Sequence, residues 1–318
     1  MLSNSRIRTV TGDIAPEELG HIQCHEHIFL QKGPSFENNP ALCMDDFQRS
    51  LEELKSYRMA GGTAIVDAQP GGFGRDAESL RKLSEKSSVK ILAVTGFHKL
   101  LFAEQPARWE HLDEGEIAGG FSREILYGME DSKGHPTTIR AGLVKAALEE
   151  GGFEHPVYRK LLAAVARTAA DTGAPVMIHT EKNTDMFQLL QFFEGYQVPA
   201  DQLMICHLDR THYDPDYHRE VLKTGCMLCY DSVNRRKYIS NEQEITLIKT
   251  MCACGHEDQL VLSLDTTNQR LRSYYAKDMG LDYILREFIP MLRAEGITER
   301  QIAKMCRQNA GKFLTLES

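Results

Sequence analysis

Short apolar runs rich in Val, Ile and Leu recur along the chain, each followed by a longer stretch with hydrophobic positions at helical spacing. Strands buried on both faces read as unbroken apolar runs, and their alternation with amphipathic helices is the pattern of a parallel sheet with crossover helices. Eight runs qualify as strands: IQCHEHI from Ile22, TAIVDA from Thr63, KILAVTG from Lys90, TIRAGLV from Thr138, PVMIHT from Pro175, LMICHL from Leu203, CMLCYD from Cys226 and LVLSLD from Leu260. Helices are expected in DDFQRSLEELKSYRMAG, VYRKLLAAVARTAADTG and EQEITLIKTMCACG, which close on Gly as helices often do. The segment from Leu101 to Pro136 is the least regular and predicts a long loop plus a helix after the third strand. The tail from Thr298 opens with a Thr-x-x-Gln capping pattern and predicts a closing helix. Eight strand–helix units predict an α/β fold, the (β/α)₈ TIM barrel, and with no linker or repeat between them a single domain over residues 1–318.

Composition narrows the function classes. A net charge of -8 argues against a nucleic-acid surface, and no basic block or apolar run of membrane length points to a lipid partner. The start, MLSNSRIRTVTGDI, has no apolar stretch of the secretory kind, which predicts a cytoplasmic protein. The eight cysteines are scattered and are expected as free thiols. Cys226 and Cys229 form a CxxC, but on a strand residues three apart face opposite sides, so two structural thiols are expected there.

The candidate chemistry lies at strand ends, where the loops of a parallel barrel converge on one cavity. His25 and His27 stand at the end of the first strand, and their spacing puts both imidazoles on one face while Glu26 points away. His179 ends the fifth strand, His207 the sixth and Asp265 the eighth. Any one of these histidines alone reads as a buried structural residue. Four strands aiming imidazole and carboxylate at one place predict a metal site for Zn²⁺, or for Fe, Co, Ni or Mn. Lys145 closes the fourth strand in RAGLVKAAL, an apolar setting where an unpaired ammonium is costly unless it snorkels outward.

HEH, GLVK, IHT, CHLD and SLD in this order, with TVTGDIAPEELGHIQCHEH, VDAQPGGFGRD and TGFHK around them, resemble the phosphotriesterase-like family of the amidohydrolase superfamily over nearly the whole chain. The resemblance implies two divalent metal ions. His25, His27 and Asp265 would hold the more buried one, and His179 and His207 the other. It further implies that Lys145 carries a CO₂-derived carbamate bridging the two, and that the protein is a homodimer. Two metals sharing a water would lower its pKa from about 15.7 towards neutrality, so that hydroxide attacks a carbonyl or phosphoryl centre while Asp265 accepts the proton.

Loops vary more than the metal site, and here they carry a local basic cluster. Loop seven holds Arg235, Arg236, Lys237 and Tyr238; loop eight holds Arg270, Arg272, Tyr274 and Tyr275. Such groups suit a phosphate, although a solvated rim of salt bridges is the bland reading. The family includes lactonases of phosphorylated sugar lactones, so the resemblance and the loops together imply a small-molecule substrate of that class, contacted by Lys237, Arg272 and Tyr275. His98, in TGFHK, stands where several lactonase relatives carry a tyrosine and is a further substrate contact or a structural histidine. Arg140, read as lying within the fourth strand, could make a salt bridge inside the barrel. A phosphotriester or phosphodiester hydrolase would use the same metals, whereas a non-catalytic ligand-binding barrel would have no need of Lys145.

Overall fold

The computed structural model of the chain describes residues 5–131, 133–275 and 279–316. Eight parallel strands lie side by side in sequence order. They are β1 (His21–Glu26), β2 (Gly62–Asp67), β3 (Lys90–Gly96), β4 (Leu143–Leu148), β5 (Val176–Thr180), β6 (Leu203–Cys206), β7 (Met227–Tyr230) and β8 (Leu260–Leu262). The amphipathic stretches fold as α1 (Phe47–Met59), α2 (Ala77–Ser87), α3 (Glu114–Leu126), α4 (Pro156–Thr172), α5 (Met186–Gly195), α6 (Pro215–Leu222) and α7 (Asn241–Ala253). A side-chain oxygen caps most of their N-termini, as Asp46 does for α1 and Ser240 for α7. This is the (β/α)₈ barrel that the hydrophobic pattern predicts.

The period of two along each strand divides the apolar residues into two cores. Ala64 and Val66 on β2, Leu92 and Val94 on β3, Met177 on β5 and Met204 on β6 fill the barrel, while their sequence neighbours pack outward against the helices. An antiparallel hairpin, Arg6–Thr9 with Gly12–Ile14, pairs with Thr315–Leu316. It plugs the bottom through Ile7, which is fully buried against the inner core.

Barrel closure rests on Glu26. Between β8 and β1, Asp265 N donates to the His25 carbonyl at 3.0 Å. The Glu26 carboxylate, itself fully buried, accepts from Ser263 Oγ at 2.7 Å, Leu264 N at 2.8 Å, Thr266 N at 3.1 Å and Thr266 Oγ1 at 2.7 Å. Glu26 thus points away from His25 and His27, as the alternation requires, and uses that direction to fasten the first strand to the last.

Two expectations need correction. The fourth strand spans Leu143–Leu148, not Thr138 to Val144, so Lys145 lies inside it and does not close it. The residues of TIRAG are engaged elsewhere. Ile139 O accepts from Met129 N at 2.7 Å in a turn-back after α3, and Ala141 N donates to Glu124 O. Arg140 lies outside the barrel strands and meets Asp13 at 3.1 Å on the lower hairpin. The segment after β3 holds a short helix, Pro106–His111, in addition to α3. The tail opens as read, with Thr298 Oγ1 and Gln301 capping each other reciprocally. Cys226 and Cys229 do face opposite cores.

Candidate metal centre

Backbone direction explains how the ligand set converges. Leu143 and Lys145 share the inward parity of β4, and Met177 and His179 that of β5. At the first strand the register shifts between Gln23 and Glu26, and this irregularity turns His25 inward next to inward-facing Cys24. His207 follows inward-facing Cys206 and would point out. Its φ of 73° puts it in the left-handed region and swings the imidazole back over the cavity. Asp265 has φ of 49° for the same purpose. Non-glycine residues held there cost about 1–3 kcal/mol each, a strain found where geometry serves function.

The hydrogen bonds decide which nitrogen of each imidazole is free. His207 Nδ1 lies 2.6 Å from Asp231 Oδ1 and His25 Nδ1 lies 2.9 Å from Asp231 Oδ2. A carboxylate only accepts, so both Nδ1 atoms carry hydrogen, and in the neutral ring each Nε2 presents a lone pair. His179 donates from Nε2 to Glu181 Oε1 at 3.1 Å, which leaves Nδ1 as its lone pair. His207 Nε2 and His179 Nδ1 then face each other at 2.7 Å, two acceptors that need a proton or a cation between them. His27 Nε2 approaches Asp265 Oδ1 at 3.6 Å, its Nδ1 is buried with no partner, and donor atoms of His25, His27 and Asp265 all lie within 4.8 Å of one another. Burial pushes the His27 and His179 imidazoles down to about 4, so both are neutral, the form that ligates. The donor set therefore fits divalent ions of the Zn²⁺ type.

Lys145 is fully buried and donates to the Ala68 carbonyl at 2.7 Å. Burial brings its ammonium down to about 8, against the pull of nearby Asp265 and Asp67, so about a tenth is free amine at pH 7. Burial alone would raise the Asp265 carboxyl. Arg235 and Arg210 outweigh it and hold the group well below the carboxylate range, Arg210 Nη1 at 2.8 Å from Oδ2 and Arg235 on the same oxygen.

Sequence reasoning missed Asp231, Glu181, Arg210 and the inward role of Arg235. Asp231 satisfied the strand-end filter, since it terminates CMLCYD, and could have been found by it. Arg210 sits in the short helix Leu208–Thr211, where spacing gives no sign that it reaches Asp265. His98 is buried against the site, its ring 5.4 Å from that of His179 and 6.4 Å from that of His27. Lys237, Arg272 and Tyr275 are exposed on the rim. Arg272 pairs with Asp282 at 3.2 Å and Lys237 lies over the Tyr238 ring at 5.2 Å. A cavity of about 410 Å³ opens on the same side, lined by Lys99, Glu149, Glu181, Arg210, Thr211 and Tyr238 among others.

Comparison with known proteins agrees with this geometry. The model of the phosphotriesterase family matches residues 5–314. A phospho-furanose lactonase of Mycoplasmopsis synoviae is 29% identical, over 99% of this chain and 93% of its own. Among solved structures, an amidohydrolase from Mycoplasma synoviae superposes with TM-score 0.94 at 28% identity, covering 100% of this chain and 94% of that one. A lactonase from Listeria monocytogenes gives TM-score 0.90 at 27% identity, covering 98% and 100%. With a barrel of this topology, a convergent His/Asp ligand set and a family match over almost its whole length, the chain belongs to the phosphotriesterase family.

Proposed function

We propose that this hydrolase opens a phosphorylated sugar lactone, as a single domain over residues 1–318 that holds two divalent ions, Zn²⁺ or Mn, Co, Fe or Ni in its place. The observation that carries the reading is the pair of opposed lone pairs on His207 Nε2 and His179 Nδ1, 2.7 Å apart, beside the His25, His27 and Asp265 group. Relatives named as lactonases, one of them a phospho-furanose lactonase, support the substrate class.

When bound, the two ions would supply a water of lowered pKa and polarise the substrate oxygen. The chain does the rest. Asp231 grips His25 and His207 together, so one carboxylate aligns a ligand of each ion. Lys145, with its fraction of free amine, would take up CO₂ as a carbamate, since only the neutral amine adds it. Asp265 is the acceptor for the proton of the attacking water; Arg210 and Arg235 on Oδ2 keep the group ionised and favour the proton's rapid return to the leaving alkoxide. His98 faces the substrate, and Lys237, Arg272 and Tyr275 receive its phosphate at the rim.

The proposal includes a cytoplasmic homodimer acting without nucleic acid or membrane. No helix among the described residues is long and apolar enough to cross a bilayer. Fractionation and light scattering check location and oligomer. The central test is metal content of protein purified without chelator, paired with acid release from sugar lactones with and without phosphate. Two metals per chain and release mainly from phosphorylated lactones support the reading. Activity confined to phosphoesters or neutral lactones removes the substrate, and protein without metal removes the mechanism.

A further inference from the structure

Below the ligands just described, the barrel floor holds donors that the reading above leaves unused. Cys24, Cys206 and Cys229 all face inward, fully buried among Met177 and Met204. Cys206 directly precedes His207 and shares the barrel floor with Cys229. His25 is 2.9 Å from Asp231 through Nδ1. Donor atoms of His25, Cys206 and Asp231 all lie within 4.8 Å of one another, a triad that shares only His25 with that of His25, His27 and Asp265. The first offers nitrogen, sulfur and oxygen; the second offers nitrogen and oxygen alone. Sulfur changes the chemistry, because thiolate prefers soft, polarisable ions over hard ones.

We propose that Cys206, His25 and Asp231 form a thiol-containing cation position under the centre, selective for a soft ion such as Cd²⁺. Binding exchanges the S–H bond of Cys206 for an S–Cd bond and the Nδ1–H bond of His25 for an N–Cd bond, and both protons leave to solvent. No electron transfer is involved. Asp231 also orients His25 and His207, so an ion that engages its carboxylate withdraws support from both. Soft ions therefore disable this chain from beneath, by taking His25 and its orienting carboxylate from the centre. The other buried groups of the floor, the Met177 and Met204 thioethers, complete soft surroundings for the ion.

The test is spectroscopic and independent of which substrate the enzyme hydrolyses. Metal-free chain carrying Cys43→Ser and Cys254→Ser, which removes the two thiols that reach solvent, is titrated with Cd²⁺. Expected is an ultraviolet thiolate-to-cadmium charge-transfer band, with X-ray absorption at the cadmium edge showing sulfur in the coordination shell. Adding Cys206→Ser abolishes the band while nitrogen and oxygen ligation persists; adding Cys229→Ser leaves the band in place. A shell of nitrogen and oxygen alone in the background chain overturns the proposal without any core substitution. So does a band that survives Cys206→Ser.

Discussion

At the scale of single residues, Asp231 does more than any ligand it supports. Its two oxygens take Nδ1 hydrogens from His25 and His207, so both rings are fixed in tautomer and direction by one side chain. Asp231→Asn keeps the shape but can serve at most one of those donors as acceptor. Loss of such an orienting partner lowers metal affinity about 10- to 100-fold, to be read by competition with a chromogenic chelator. His218 offers a contrast, a histidine tuned for structure. It donates from Nε2 to the His212 carbonyl at 2.7 Å and accepts the Tyr230 hydroxyl at Nδ1, 2.8 Å away, which satisfies the neutral ring. Burial pushes it from 6.5 down to about 4. The unfolded chain therefore binds this proton more tightly, and stability falls as pH drops from 6.5 towards 4, by at most about 3 kcal/mol from this residue. Urea midpoints measured across that window should slope upward with pH, and the slope should flatten in His218→Gln. An unchanged slope would place the effect elsewhere.

At the scale of elements, the joint between β3 and β4 carries the lysine. Gly96 has φ of +103°, and a Cβ built there would strike the Lys145 carbonyl oxygen. Only glycine lets the end of β3 pass so close to the strand that aims Lys145 inward. Gly96→Ala must move one strand or the other, at a cost of about 3 kcal/mol or more, and should release metal along with stability. Equal metal content in the variant and the parent would show that the joint does not position the site. The fourth strand also shows where periodicity misleads. TIRAGLV has the β-branched and apolar content of a strand, yet its first half is taken by hydrogen bonds to the end of α3, and the strand begins only at Leu143.

At the scale of the molecule, closure of the barrel depends on a charge hidden at its seam. Glu26 receives four hydrogen bonds from residues 263–266, which leave the end of β8 and carry Asp265. Glu26→Ala orphans those donors and loosens both the seam and one metal ligand. Denaturation of the metal-free variant is expected to show a loss of about 3–5 kcal/mol. A loss below about 1 kcal/mol would mean that backbone pairing alone closes the barrel. The same closure sets His25 beside Asp265, so stability and ligand geometry are one property here, and adding divalent metal should recover part of what the substitution removes.

What the sequence determined by itself is the architecture and a set of candidate ligands at the strand ends. Unbroken apolar runs alternating with amphipathic helices leave few arrangements besides a parallel barrel, and strand ends in a barrel point to one mouth. His25, His27, His179, His207 and Asp265 were therefore legible as a candidate set before any coordinate, and Lys145 joined them only through the family resemblance. Only the tertiary structure decided how they are held. The left-handed turns at His207 and Asp265 aim those side chains, while the sharing of Asp231 between two rings and the reach of Arg210 and Arg235 to a single oxygen join residues 24 to 206 positions apart. Local periodicity reports which face a side chain takes within its own element. It carries no information about which distant groups meet across the barrel, because those contacts arise only when closure brings eight strands round to one axis.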